Sequence, residues 1–125
     1  MPDRFDEDVL IRLRKAGEVS IETSRGAGAP VHRTVIWVVV DSEERVLIRS
    51  YRGATARWFR ETVGNPAVAL VLGGESILAT ALVATDNSRI EAASRGYIRK
   101  YPKARGLSGM LADGVLGTTL ELIPR

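Results

Sequence analysis

Six short strands joined mostly by tight connections, with about three helices in the gaps between them, predict an α+β fold in which a mainly antiparallel sheet closes into a small barrel. Three features carry this expectation: the Gly73-Gly74 hairpin signal, the acidic turn Asp41-Ser-Glu-Glu44 between two apolar runs, and the alternation of apolar and polar residues from Glu18 to Thr23.

Phe5, Val9, Leu13 and Ala16 recur at helical spacing between a cap at Asp3 or Asp6 and a stop at Gly17, which predicts an amphipathic first helix. Val19, Ile21 and Thr23 alternate with Glu18, Ser20 and Glu22 as a half-buried strand, and residues 24–30 then form a glycine-rich loop to which the lone His32 is assigned. The run from about residue 33 to 40 is continuously apolar and β-branched, so one strand buried on both faces is expected, with Trp37 in the core. The acidic turn leads into Val46, Ile48 and Ser50. Thr55 is the expected cap of a short helix carrying Trp58, Phe59 and Val63, which Gly64-Asn65-Pro66 ends. Residues 67–72 and 76–83 are strands on either side of Gly73-Gly74. Asp86 precedes Ile90, Ala93, Tyr97 and Tyr101 at helical spacing, and Pro102 stops that third helix. Residues 103–114 read as loop or a short helical turn, and residues 115–123 as a final strand.

A chain of 125 residues is expected to form one domain spanning 1–125, because at this size about two thirds of the unfolded surface can be buried without staples. There is no cysteine and one histidine, which excludes thiolate chemistry, disulfides and multi-histidine metal sites, so no metal is expected. The longest strongly apolar run, residues 35–40, is far short of the roughly 20 residues a membrane span needs, and the N-terminus is acidic. A soluble, cytoplasmic protein is the expectation. The net charge of +3 is mild, but seven arginines lie between positions 25 and 60 against three acids confined to the turn at 41–44. Guanidinium forks match phosphate or carboxylate oxygens, so this local excess points to an anionic small molecule, although strand-end arginines such as Arg49 and Arg52 are also explained by simple solvent exposure.

Several ordered blocks carry a family resemblance: residues 21–30 (Ile-Glu-Thr-Ser-Arg-Gly-Ala-Gly-Ala-Pro), 33–41 (Arg-Thr-Val-Ile-Trp-Val-Val-Val-Asp), 48–53 (Ile-Arg-Ser-Tyr-Arg-Gly), 57–60 (Arg-Trp-Phe-Arg) and Asn65-Pro66. Together they resemble the split β-barrel flavin-binding superfamily, which includes pyridoxamine phosphate oxidase-like proteins, and within it the DUF2255 family, with the deazaflavin-dependent nitroreductases as more distant relatives. The resemblance implies a six-stranded split β-barrel and a homodimer with two cofactor sites at its interface. It implies that Arg33, Thr34, Arg49, Ser50 and Arg52 face a phosphate tail, that the backbone of Val35 and Ile36 runs beside a ring, and that Tyr51, Gly53 and Trp58 belong to the same site. FMN is the implied cofactor, with deazaflavin F420 as the alternative. The 24–30 loop carries one basic residue, fewer than the deazaflavin reductases tend to carry, which ranks FMN first. The superfamily also contains members that have lost the cofactor.

Read from the residues alone, Trp58 either packs its helix or lines a pocket, and Tyr51 is either a proton donor or a partly exposed strand residue. No acid or nucleophile constellation stands out, so catalysis would belong to the cofactor, with the protein supplying binding and orientation. The expected function is therefore a flavin-nucleotide-binding or deazaflavin-binding, oxidoreductase-like protein acting on a small organic acceptor. A dimeric module for another small anion is the alternative. A nucleic-acid-binding barrel using Tyr51, Arg52, Trp58, Phe59 and Arg60 ranks lower, because aromatics are only 6% of the chain, too few for a stacking platform and a core together.

Overall fold

A computed structural model describes residues 4–125, in the order α1 (Glu7–Lys15), β1 (Val19–Ser24), β2 (Val31–Ile36), β3 (Val38–Val40), β4 (Val46–Ile48), a 3-10 turn (Gly53–Thr55), α2 (Arg57–Gly64), β5 (Ala67–Leu72), β6 (Glu75–Val83), α3 (Asn87–Lys100), α4 (Leu107–Met110), α5 (Asp113–Leu116) and β7 (Leu120–Pro124). The fold is α+β, as expected, with seven strands instead of six. All of them join one antiparallel sheet in the order β2-β1-β5-β6-β7-β4-β3. The two edge strands are consecutive in sequence, with only Trp37 between them. Edges that close in sequence are close in space, so the sheet has to curl on itself and bring its two ends together at Trp37.

That seam corrects the single strand expected over residues 33–40. The segment up to Ile36 pairs with β1, and from Val38 onward the chain pairs with β4. Within this run burial on both faces starts only at β3, which it shares with its partner β4: Val38, Val46 and Ile48 face a core inside the barrel, whereas Val39 and Leu47 face a second cluster under α3. The outward face of β2 is open, with Val31 64% and Val35 61% exposed.

Local chemistry accounts for most of the other elements. Asp6 caps α1 by accepting from Val9 N at 3.1 Å; Asp3, the other candidate, lies outside the described residues. Asp41 builds the acidic turn by accepting from the backbone of Glu43 and Arg45 and from the Arg45 side chain. Gly73 and Gly74 have φ of 58° and 82°, the left-handed pair that a two-residue hairpin needs. Leu10 and Leu13 of α1, Phe59 of α2 and Leu70 and Leu122 of the sheet fill the barrel. Gly96 lets α3 sit closely on β3, where an added Cβ would meet the Val39 side chain at 3.0 Å.

Three boundaries differ from the sequence reading. Thr55 ends the 3-10 turn, and Ala56 precedes α2 with no side-chain cap. His32 lies within β2, opposite Thr23, and not in a loop. The last strand starts at Leu120, because residues 113–116 turn as a helix and Thr118 and Thr119 tie that turn off by donating to Val115 O and Leu116 O.

Candidate functional site

The curled sheet leaves a cleft of about 670 Å3 at its seam, within the range of small-molecule sites. One wall is the end of β2 with Trp37. The facing wall runs through Tyr51, Arg52 and Thr55 to Arg57 and Trp58 at the start of α2, and Gly106 and Met110 close one side. Trp37 is therefore a wall residue and not the core residue that the apolar run suggested. Its indole stacks on Tyr101 at 4.1 Å and 9°, a flat aromatic surface supported from behind by Tyr97 at 6.3 Å. Trp58 does both things left open for it, packing in the barrel core and bordering the cleft.

A tight turn presents the polar residues. Gly53 N bonds Ser50 O at 3.0 Å, Arg52 has φ −90° and ψ 6°, and Gly53 follows at φ 77°, so Tyr51 and Arg52 occupy the two corners and point outward. Ser50 and Gly53 build this turn and do not line the cleft: Ser50 is fully buried and donates its backbone N–H to Thr118 Oγ1 at 3.0 Å and its hydroxyl to Gly53 O at 2.7 Å. Tyr51 lies against Gly109, where any side chain would collide with its ring. Arg52 and Arg57 have no ion-pair partner among the described residues, and Glu18 is the lone acid lining the cleft.

Of the ten residues expected from the sequence, Thr34, Val35, Ile36, Arg49, Tyr51, Arg52 and Trp58 border one cleft. Arg33 does not; its guanidinium pairs with Glu22 at 2.8 Å on the outer face of the sheet. Arg49 borders the cleft but is 1% exposed, and four of its five N–H donors are engaged: by Thr119 Oγ1 at 2.9 Å, Ser94 Oγ at 3.0 Å, Met110 O at 2.8 Å and Ile90 O at 2.9 Å. Burial lowers its pKa from the ordinary value, and Tyr97 partly offsets this. Arg49 therefore ties α3, α4 and β7 together and lends the cleft floor positive charge, with little left to grip a ligand. Glu18, Trp37, Thr55, Ala56, Arg57, Gly106 and Met110 were not among the expected site residues.

β2 has a further property that suits a heterocycle. As an edge strand it pairs only with β1, so alternate backbone N–H and C=O groups along Thr34, Val35 and Ile36 have no sheet partner on the side of the seam. Next to it, Glu61 of α2 is buried and accepts from Thr23 Oγ1 at 2.7 Å and from His32 Nδ1 at 2.9 Å, so the lone histidine does have an acid partner. Burial alone would raise the Glu61 carboxyl, but those two hydrogen bonds and the charges of His32 and Arg57 outweigh it and hold the pKa below the usual carboxylate value. A depressed folded-state pKa gives stability that is present above the unfolded value, about 4.3, and is lost as pH falls through the folded one. In acid unfolding followed by circular dichroism, Glu61→Gln is expected to flatten the decline in stability below about pH 4.3; an unchanged slope would contradict the assignment.

The seam cleft thus brings together, on one curled antiparallel sheet, the Trp37 indole wall, the free edge of β2 and the Arg52 and Arg57 guanidiniums. The chain belongs to the DUF2255 family, described as an uncharacterised protein conserved in bacteria, whose family model matches residues 9–122. No curated protein matches the sequence. Among solved structures, the fold is similar to the heme storage protein HutZ of Vibrio cholerae, with a TM-score of 0.69 at 12% identity over 98% of this chain and 91% of that one. It is similar to a putative pyridoxamine 5'-phosphate oxidase of Listeria innocua, with a TM-score of 0.67 at 15% identity over 95% of this chain and 92% of that one. An F420-H2-dependent reductase gives a TM-score of 0.61 at 14% identity over 85% and 93%. At these identities the likeness is one of fold. No helix among the described residues is long and apolar enough to cross a membrane.

Proposed function

We propose that the protein is a flavin-nucleotide-binding, oxidoreductase-like homodimer, with FMN ahead of deazaflavin F420 as the cofactor and a small organic molecule as the acceptor. The observation that carries this reading is the composition of the 670 Å3 cleft, which fits a flat ring with an anionic tail: indole surfaces on two sides, strand-edge amides between them, and Arg52 and Arg57 without counter-ions. FMN, when bound, supplies hydride or electron transfer. Trp37 and the β2 edge orient the ring, Arg52 and Arg57 hold the charged end, and Arg49 raises the positive potential of the floor. Heme fits less well, because His32, the only histidine, is held by Glu61 and does not line the cleft. The basic residues that favour an anion are too few and too local to make a nucleic-acid track.

A second copy of the chain is the proposed occupant of the outer sheet face. Val31 and Val35 of β2, Val71 of β5 and Leu78 of β6 lie on that face, and the pairings Val35↔Ser20 and Ser20↔Val71 place two of them in one row. Val35 also rims the cleft, so a partner covering this face would wall off the open side of the site. Protein equilibrated with FMN and then desalted is expected to stay yellow and to scatter light as a dimer at micromolar concentration. A colourless monomer would overturn the proposal.

A further inference from the structure

Beside the main cleft lies a smaller one of about 150 Å3, lined by Arg25, Arg57, Arg60, Glu61 and Gly64. Arg57 lines both clefts. Arg57 and Arg60 are one turn apart at the start of α2, so they share a helix face, and Arg25 reaches in from the loop that follows β1. None of the three guanidiniums makes a hydrogen bond or ion pair among the described residues. Glu61 lines the same cleft and interacts with Arg57, but it is one carboxylate, already hydrogen-bonded to Thr23 and His32, against three guanidiniums, so the opening keeps a net positive charge. Three like charges around one opening repel each other, and an anion seated there removes that repulsion. The volume has room for a tetrahedral oxyanion with some water and is too small for a fused three-ring heterocycle.

We infer that the cleft of Arg25, Arg57 and Arg60 is a tetrahedral oxyanion site, and that it takes the phosphate end of the ligand whose ring lies in the larger cleft. The second half of this inference rests on the flavin-nucleotide reading; the first half does not. Arg57 is the bridge, touching the flat part of the ligand from one side and its terminal phosphate from the other. The phosphate-facing role that the resemblance implied for Arg33, Thr34, Arg49, Ser50 and Arg52 passes to Arg25, Arg57 and Arg60, which no block of the sequence marked as a group.

Inorganic phosphate is the first probe, titrated calorimetrically into the full chain at low ionic strength. Saturable binding that weakens as chloride is raised is expected, and Arg60→Ala or Arg25→Ala should each weaken it about tenfold, the value of one charge-assisted contact. Both residues are exposed, so folding should survive; Arg14→Ala, exposed on α1 and outside both clefts, is the control and should change nothing. FMN against riboflavin is the second arm. Wild-type protein should prefer FMN, and Arg60→Ala should narrow that preference about tenfold with riboflavin binding unchanged. Phosphate binding that is absent, or identical in wild type and Arg60→Ala, would overturn the oxyanion site. A preference for FMN that Arg60→Ala leaves intact would overturn the tail assignment while the flavin reading stands. Phosphate binding lost in Arg60→Ala, in a protein that binds neither flavin, would support the oxyanion site and remove the flavin reading of the larger cleft.

Discussion

Arg49→Met is expected to lower folding stability by about 3–5 kcal/mol, measured by urea unfolding, because it strips a charged partner from four buried or half-buried acceptors. Replacing a whole buried polar cluster with apolar groups can be neutral, but this substitution leaves the carbonyls of Ile90 and Met110 and the hydroxyls of Ser94 and Thr119 in place. Each would then lose the bond it accepts from the guanidinium, and the methionine cannot replace any of them. Arg49→Lys should recover part of the loss, since an ammonium reaches some of the acceptors but lacks the planar fork that reaches α3, α4 and β7 together. A loss below about 1 kcal/mol for the methionine variant would show that the cluster contributes little beyond a single ordinary hydrogen bond.

Tyr97→Ala is the second large effect, at about 3–5 kcal/mol, the usual cost of emptying a large aromatic site in a packed interior. Tyr97 is fully buried in the cluster between α3 and the sheet, with Trp37 at 6.3 Å, Tyr101 at 6.1 Å and the Arg49 guanidinium 5.7 Å from its ring. Removing the ring opens a cavity behind both the indole wall and the charged floor of the cleft. Tyr97→Phe keeps the ring and gives up only a hydroxyl whose bond to Trp37 O is long, 3.4 Å, so it should cost under about 1 kcal/mol. Equal losses for the two variants would mean that the hydroxyl, and not the packing, holds this region.

Where sequence signals were local, the fold was legible. Two adjacent glycines specify the β5–β6 turn, Asp6 specifies the start of α1, and the turn Ser50–Gly53 puts Tyr51 and Arg52 on display. The seam at Trp37 was not legible, because a β-branched apolar run contains no breaker, and the change of partner from β1 to β4 is decided by how the whole sheet curls. Arg49 shows the same limit at the site. It borders the cleft, but its acceptors come from residues 41 to 70 positions away, and those contacts turn an apparent ligand-gripping arginine into a tie within the fold. Gly106 and Met110 reach the cleft from the two ends of α4 and Glu18 from just before β1, and their own neighbourhoods in the chain carry no signal for it. Arg25, Arg57 and Arg60 belong to the arginine excess that the composition of residues 25–60 did reveal, with their convergence supplied by α2 packing against β1.

The chain has two tryptophans, and both border the seam cleft, so its intrinsic emission reports on that one place. Titrating FMN while following tryptophan fluorescence therefore tests directly whether a flat, phosphorylated heterocycle is what the cleft holds. Saturable quenching at micromolar FMN, removed by Arg52→Ala and Arg57→Ala combined, is the expected result. Emission that FMN leaves unchanged, apart from the linear loss due to its own absorbance, would contradict it.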